Sequence, residues 1–188
     1  MSDPPTQLEA IAQLAEAAHR DEALIVSDIG SQTVWLYASG DHPSHLYLTG
    51  PMGMASAVAL GVALSHPSRP VLAICGDGAL IMNLGSLVTI SNARPENLTI
   101  AVMDNGTYEY TGELPSPSRS VVWPQLVAAL EGFSGVETLT ESSDVAFTAT
   151  GGPRFIWCEV TREPQERPPF PFTGAQVHKR FRDYCSEG

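Results

Sequence analysis

A chain of 188 residues with 43% apolar and 16% charged content has the size and composition of one folded domain, and disorder is excluded on those grounds. Ten Lys and Arg against 21 Asp and Glu give a net charge of -11, so nucleic acid and anionic membrane are not expected partners and any anion site must be local. With no 18-residue apolar run and a short polar start at Met1 to Thr6, no membrane span and a cytoplasmic location are the expectation.

Thr6-Gln7-Leu8-Glu9 has the form of a capping box, and Leu8, Ile11, Leu14 and Ala15 recur at helical spacing, which predicts a first helix to about His19. Ala23 to Val26 reads as a buried strand ending at Ser27-Asp28-Ile29-Gly30, and Val34 to Ala38 as a short strand or irregular connection. Asp41 to His45 is a turn. His42 and His45 are expected at the surface, the alternative being the active site, and the other histidines are scattered without a helical pair. Val71 to Cys75 and Leu98 to Met103 are short, nearly continuous apolar runs bounded by turn residues, the pattern of buried parallel strands. Between them a helix is predicted from Ala79 to about Arg94. Further on, Trp123 to Leu130 and Ser142 to Thr150 read as helices, and Phe155 to Val160 as the last strand. A stiff Pro-rich arm with Pro164, Pro168, Pro169 and Pro171 leads to a helix over Gln176 to Tyr184. The expected fold is α/β, a doubly wound, mainly parallel sheet with helices on both faces. It forms one domain whose core spans about 20–162, with the arm and last helix over 163–188. Cys75, Cys158 and Cys185 lack metal or CxxC spacing and read as inert thiols.

The most informative stretch is Gly76-Asp77-Gly78, followed after 26 residues by Asn105. The glycines permit a sharp turn and close ligand approach. Asp77 and Asn105 then stand at the carboxyl ends of two strands, where open parallel sheets bind ligands. A carboxylate and an amide oxygen are hard donors suited to Mg²⁺ carrying a diphosphate, and the amino end of the helix from Ala79 favours an anion.

This spacing resembles the motif of thiamine diphosphate (ThDP) enzymes, GDG followed by Asn. Leu46 to Ala55, with Gly50-Pro51-Met52-Gly53 running into a small-residue helix, resembles the G-S-M-G segment of ThDP-dependent decarboxylases. The resemblance implies that Met52 props the bent cofactor and that backbone at Gly50 and Met52 meets the aminopyrimidine. Pro51 stands where that family usually has Ser, which removes a hydroxyl and a backbone donor. Met82-Asn83-Leu84-Gly85-Ser86-Leu87 and the loop from Asn105 to Ser116 are similar to the sulfopyruvate and phosphonopyruvate decarboxylase group, with Glu113 and Leu114 in place of Gly-Gln. By that likeness Gly76, Asp77, Gly78, Ala79, Asn105, Thr107 and Tyr108 would bind the cofactor, with Asp77, Asn105 and the Thr107 carbonyl on Mg²⁺. Arg119 is the nearest cation and reads as a solvated loop residue.

In this family a glutamate from a separate pyrimidine-binding domain activates the cofactor, and the chain's length leaves no room for that domain. The expectation is therefore the β-type subunit of a split 2-oxo acid decarboxylase, inactive alone. It would expose an apolar face around Met52 and Met54 to a pyrimidine-domain partner in an α₂β₂-like or larger hetero-oligomer. Were it active alone, the acid would be sought among Asp28, Glu109 and Glu113. The β subunit of a 2-oxoacid oxidoreductase is the enzyme alternative, and a non-catalytic nucleotide-binding module the non-enzyme one.

Overall fold

The computed structural model describes residues 3–148, 151–162 and 165–187. Strands β1 (Leu24–Ser27), β2 (His45–Tyr47), β3 (Val71–Gly76), β4 (Leu98–Asp104), β7 (Gly135–Thr138) and β8 (Arg154–Glu159) form one sheet in the order β2-β1-β3-β4-β8-β7. Every pairing in it is parallel. A small antiparallel hairpin, β5 (Thr107–Tyr108) with β6 (Leu114–Pro115), stands apart from the sheet. The helices are α1 (Gln7–Arg20), α2 (Ser31–Ser39), α3 (Ala55–Ser65), α4 (Asp77–Met82), α5 (Gly85–Ala93), α6 (Trp123–Ala128) and α7 (Gly174–Glu187).

Strand side chains alternate between two cores, as period-2 pleating requires. Ile25, Leu72, Ile74, Ala101, Met103 and Ile156 face α1 and α2 on one side. Leu24, Val26, Val71, Ala73, Cys75, Ile100 and Val102 face α3, α5 and α6 on the other. Covered on both faces, the central strands need apolar residues at every position, and this is why they read as unbroken apolar runs. Burial pushes the thiols of Cys75 and Cys158 up, which leaves them inert. Among the described residues no helix is long and apolar enough to cross a membrane.

The structure corrects several sequence expectations. Val34 to Ala38 is not extended: the chain turns at Gly30 and enters α2, whose first six residues are all buried. A helix buried all round lacks the 3.6-residue alternation that would have identified it. The helix expected from Ala79 to Arg94 is two helices, broken at Asn83-Leu84, where Asn83 leaves the helical conformation and donates from Nδ2 to the Gly53 carbonyl at 2.9 Å. Ser142 to Thr148 is turn and coil, not helix, and Ala149 and Thr150 lie outside the described residues. Its backbone is committed elsewhere. The Phe147 N–H donates to Asp21 Oδ2 at 2.7 Å and the Val145 carbonyl accepts from Arg20 at 2.7 Å. Val145 and Phe147 are buried while Asp144, Ala146 and Thr148 are exposed, the alternation of extended chain. Strand β7 was not anticipated; at the sheet edge, half-buried and exposed, its four residues include Gly135 and Glu137, of types depleted in strands, alongside Val136 and Thr138.

The histidines are a further correction. His45 is 2% exposed, and its Nε2 meets His19 Nε2 at 2.7 Å, with the His42 ring 4.9 Å from that of His19. Tyr47 and Tyr184 flank the group, and Asp41 joins Tyr47 to Arg180. His45 begins β2 beside Ile25, so the cluster lies toward the amino ends of the strands, away from Asp77. Burial, then the neighbouring histidines and Arg180, push His45 down to about 3. The folded state therefore holds fewer protons than the unfolded chain below the ordinary imidazole pKa of about 6.5, and His45 costs stability as pH falls beneath it. In urea unfolding, the wild type should lose stability relative to His45→Gln by about 1.4 kcal/mol per pH unit below 6.5. Parallel stability curves would contradict this.

Candidate functional site

Strand order reverses at β1: its chain successor β2 lies on one side and β3 on the other. Loops leaving the carboxyl ends of β1 and β3 diverge there and leave a crevice. A cavity of ≈ 590 Å³ occupies it, lined by residues 29–34, 48–49, Met52, 76–79, Met82, Asn105, 107–111 and Phe170.

Parallel pairing of β3 with β4, in the register Gly76 to Met103, brings Asp77 and Asn105 to adjacent strand ends. Asp77 is 3% exposed, and burial pushes its carboxyl above the ordinary range, partly offset by hydrogen bonds from Ser116 and the Gly78 N–H. The Ser116 hydroxyl donates to Asp77 Oδ2. Asn105 Oδ1 accepts from the Thr107 N–H at 2.9 Å, while its Nδ2 donates to Glu109 Oε1 at 2.8 Å. The Tyr108 ring lies against Gly78, where an added Cβ would sit 2.2 Å from the ring, so close approach at residue 78 requires glycine.

The loop after β2 is clamped from beneath. Asp28 is fully buried; its Oδ1 accepts from the Gly53 N–H at 3.1 Å and its Oδ2 has no partner. Gly53 has φ +82°, and a Cβ there would be 2.7 Å from the Ala79 carbonyl oxygen. With Asn83 holding the Gly53 carbonyl, Asp28 and Asn83 fix this one residue from two sides. Met52 and Met54 emerge from the clamp 37% exposed, so Met52 is a cavity wall rather than core.

Of the residues expected from the sequence, Met52, Gly76, Asp77, Gly78, Ala79, Asn105, Thr107 and Tyr108 line this one cavity. Gly50 does not; it is exposed, with nothing within 4 Å of its Cβ position. Asp28 lies below the loop rather than in the cavity, and the exposed Glu113 pairs with Arg162. Arg119 is exposed, its guanidinium packed on Gly106. Sequence reasoning assigned no role to Gln32, whose amide covers Gly76, or to Ser116 and Asn83. Asp28 and Gln32 carried a usable signal, since they flank the turn at the carboxyl end of a buried strand. Beside Asp77 and Asn105 the donors are hard oxygens, the described lining residues include no His or Cys, and a bare Cα stands beside the carboxylate. That set suits a hard cation bridging to a phosphate.

Fold and cavity together define a doubly wound α/β domain with an oxygen-rich ligand crevice at its carboxyl edge. The model of the thiamine pyrophosphate enzyme family, C-terminal TPP binding domain, matches residues 28–145, and the chain belongs to that family. It is 36% identical to the phosphonopyruvate decarboxylase of Streptomyces viridochromogenes over 97% of this chain and 47% of that protein. It is 32% identical to the sulfopyruvate decarboxylase subunit beta of Methanothermobacter thermautotrophicus over 93% of this chain and 92% of that one. Thus the chain spans about half the length of the phosphonopyruvate decarboxylases it matches and nearly all of that subunit. Among solved structures, the ThDP-dependent 4-hydroxybenzoylformate decarboxylase of Rhodococcus jostii RHA1 shares the fold, with TM-score 0.70 and 21% identity, over 88% of this chain and 34% of that one.

Burial pushes Asp28 up to about 6, above its unfolded value, so its contribution to stability is present in acid and lost as pH rises through about 6. Asp28→Asn keeps an acceptor for Gly53 but does not titrate. Wild-type stability measured against this variant should therefore fall between pH 4 and 7. Asp28→Ala, which strands the Gly53 N–H, should cost about 1–3 kcal/mol. A pH-independent difference between wild type and Asp28→Asn would show that the carboxyl is not held in a dry site.

Proposed function

We propose that this chain binds the Mg²⁺-diphosphate end of ThDP and, with a pyrimidine-domain partner, forms a 2-oxo acid decarboxylase of the sulfopyruvate or phosphonopyruvate type. The observation that carries the reading is the meeting of Asp77 and Asn105 at adjacent strand ends beside a bare Gly78, within a TPP binding domain. Asp77, Asn105 Oδ1 and the Thr107 carbonyl are the proposed metal ligands. Asp77 is the single charged donor of the three, so a cation there depends on diphosphate oxygens to complete its shell. In the free chain Ser116 and Thr107 satisfy these oxygens, which keeps a buried carboxylate and a half-buried amide from standing unpaired. A bound Mg²⁺ would take these oxygens as ligands in place of those donors.

ThDP, when bound, supplies the nucleophilic carbon and the electron sink for loss of CO₂. The chain's share is anchorage, shape and exclusion of water. Met52, Met82 and Phe170 give the cavity apolar walls, and Met52, held out by the Asp28 and Asn83 clamp on the next residue, is the proposed prop for the bent cofactor. The acid that meets the pyrimidine is assigned to the partner. Among the described residues lining this cavity the carboxyl besides Asp77 is Glu109, already held by Asn105, Ser31 and Arg167. The half-exposed Met52 and Met54, and the nearly full coverage of a relative named as a subunit beta, support such a partner, in an α₂β₂-like or larger assembly. The names of the similar proteins favour decarboxylase over the oxidoreductase and nucleotide-module alternatives.

The test is decarboxylation of sulfopyruvate, phosphonopyruvate and pyruvate with ThDP and Mg²⁺, with and without a candidate pyrimidine-domain protein. Turnover should require both chains. Met52→Ala should depress kcat at least tenfold while changing ThDP affinity by less than about threefold, because alignment rather than anchorage is lost. Substantial turnover by the chain alone would overturn the split-enzyme reading.

A further inference from the structure

We propose that Arg167 is the specificity-determining residue that recognises the anionic tail of the substrate, a phosphonate or sulfonate; this rests on the decarboxylase reading above. Three arginines pack against the segment running from Asn105 to Ser116. Arg119 is exposed on Gly106, and Arg162 is 59% exposed beside Glu113. Arg167 differs from both: its side chain is 27% exposed, and its Nη2 lies 3.1 Å from Glu109 Oε2. Its guanidinium also sits 4.3 Å from the centroid of the Tyr110 ring. Glu109 and Tyr110 are both cavity-lining residues, and Tyr110 is 58% exposed; Arg167 does not line the cavity itself but adjoins both of them at this solvent-facing side.

Charge makes this position matter. In a chain of net charge -11, with Asp77 lining the cavity beside the Glu109–Arg167 pair, a 2-oxo acid bearing a second anionic group meets repulsion unless free N–H donors of a cation face it. Arg167 is that cation. A guanidinium has five N–H donors in a planar fork, of which the Glu109 bond uses one, and a fork suits an oxyanion better than an ammonium does. Glu109 and the Tyr110 face fix its orientation, which reduces the side-chain entropy lost on binding. The segment carrying Arg167 is itself anchored three and five residues further on. Phe170 packs edge-on against Tyr37 at 5.7 Å and Tyr47 at 5.1 Å, and Phe172 against Tyr37 at 6.0 Å. Arg167 is thus held by packing on one side and by the cavity wall on the other.

The experiment is calorimetric titration of the full chain in complex with its pyrimidine-domain partner, loaded with ThDP and Mg²⁺, with three non-reacting probes: 3-phosphonopropionate, 3-sulfopropionate and butyrate. Wild type should bind one or both oxyanion probes more tightly than butyrate, and their ranking separates phosphonate from sulfonate recognition. Arg167→Gln should lose about tenfold to hundredfold in affinity for the preferred probe, with Arg167→Lys between them. Butyrate and ThDP affinities should stay within about threefold in both variants, which a merely structural arginine would not predict. Undiminished preference in Arg167→Gln, absence of preference in the wild type, or equal losses for all three probes would each overturn the proposal. Failure of the wild type to bind ThDP would instead refute the decarboxylase reading, and this inference with it.

Discussion

Parallel pairing of β3 with β4 in a single register is the constraint on which the site depends. Gly76 opposite Met103 makes the residues that follow, Asp77 and the Asp104-Asn105 pair, emerge together at the carboxyl edge. A one-residue slip would turn every side chain of a strand to the opposite face, and here both faces are packed, so the register is strongly enforced. The same strand end is anchored sideways: Trp123 and Trp157 both donate their indole N–H to Asp104 Oδ2, each at 3.1 Å. Asn105 is therefore projected from a rigid edge rather than from a free loop, which its proposed role as a metal ligand requires.

The second wall of the cavity depends on buried polar groups. Asp28 and Asn83 come from opposite sides of the crevice and converge on Gly53, one on its N–H and one on its carbonyl. A carboxyl held in a dry site is costly, and Asp28, fully buried beneath the loop, is such a group. That cost is tolerable because the clamp fixes the stretch carrying Met52, the side chain whose position the proposed chemistry needs most. Stability is lowered locally, and geometry at the cavity is gained.

Much of this was legible in the sequence, for identifiable reasons. Strands buried on both faces read as apolar runs; a GDG turn after one of them with Asn after the next, together with the Gly50–Gly53 segment and the loop after Asn105, located eight residues that line one cavity. Elements whose burial pattern lacks a period were not legible. Helix α2 is buried over its first six residues and so looked extended, while Val145 and Phe147 sit in a segment that composition alone suggested was helical. Contacts distant in sequence were invisible for another reason. Ser116 on Asp77, Asn83 on Gly53 and Arg167 on Glu109 span 30 residues or more, and nothing local to either partner specifies the other. The histidine cluster belongs to the same class, since His19 and His45 come from α1 and β2.

The measurement that bears most directly on the account is calorimetric titration of the chain with ThDP in the presence and absence of Mg²⁺, repeated with Asp77→Ala. The account predicts Mg²⁺-dependent ThDP binding to the wild type and its loss by at least a hundredfold in Asp77→Ala, with the circular dichroism spectrum unchanged because Asp77 sits at a strand end. ThDP affinity in Asp77→Ala equal to that of the wild type at saturating Mg²⁺ would contradict it.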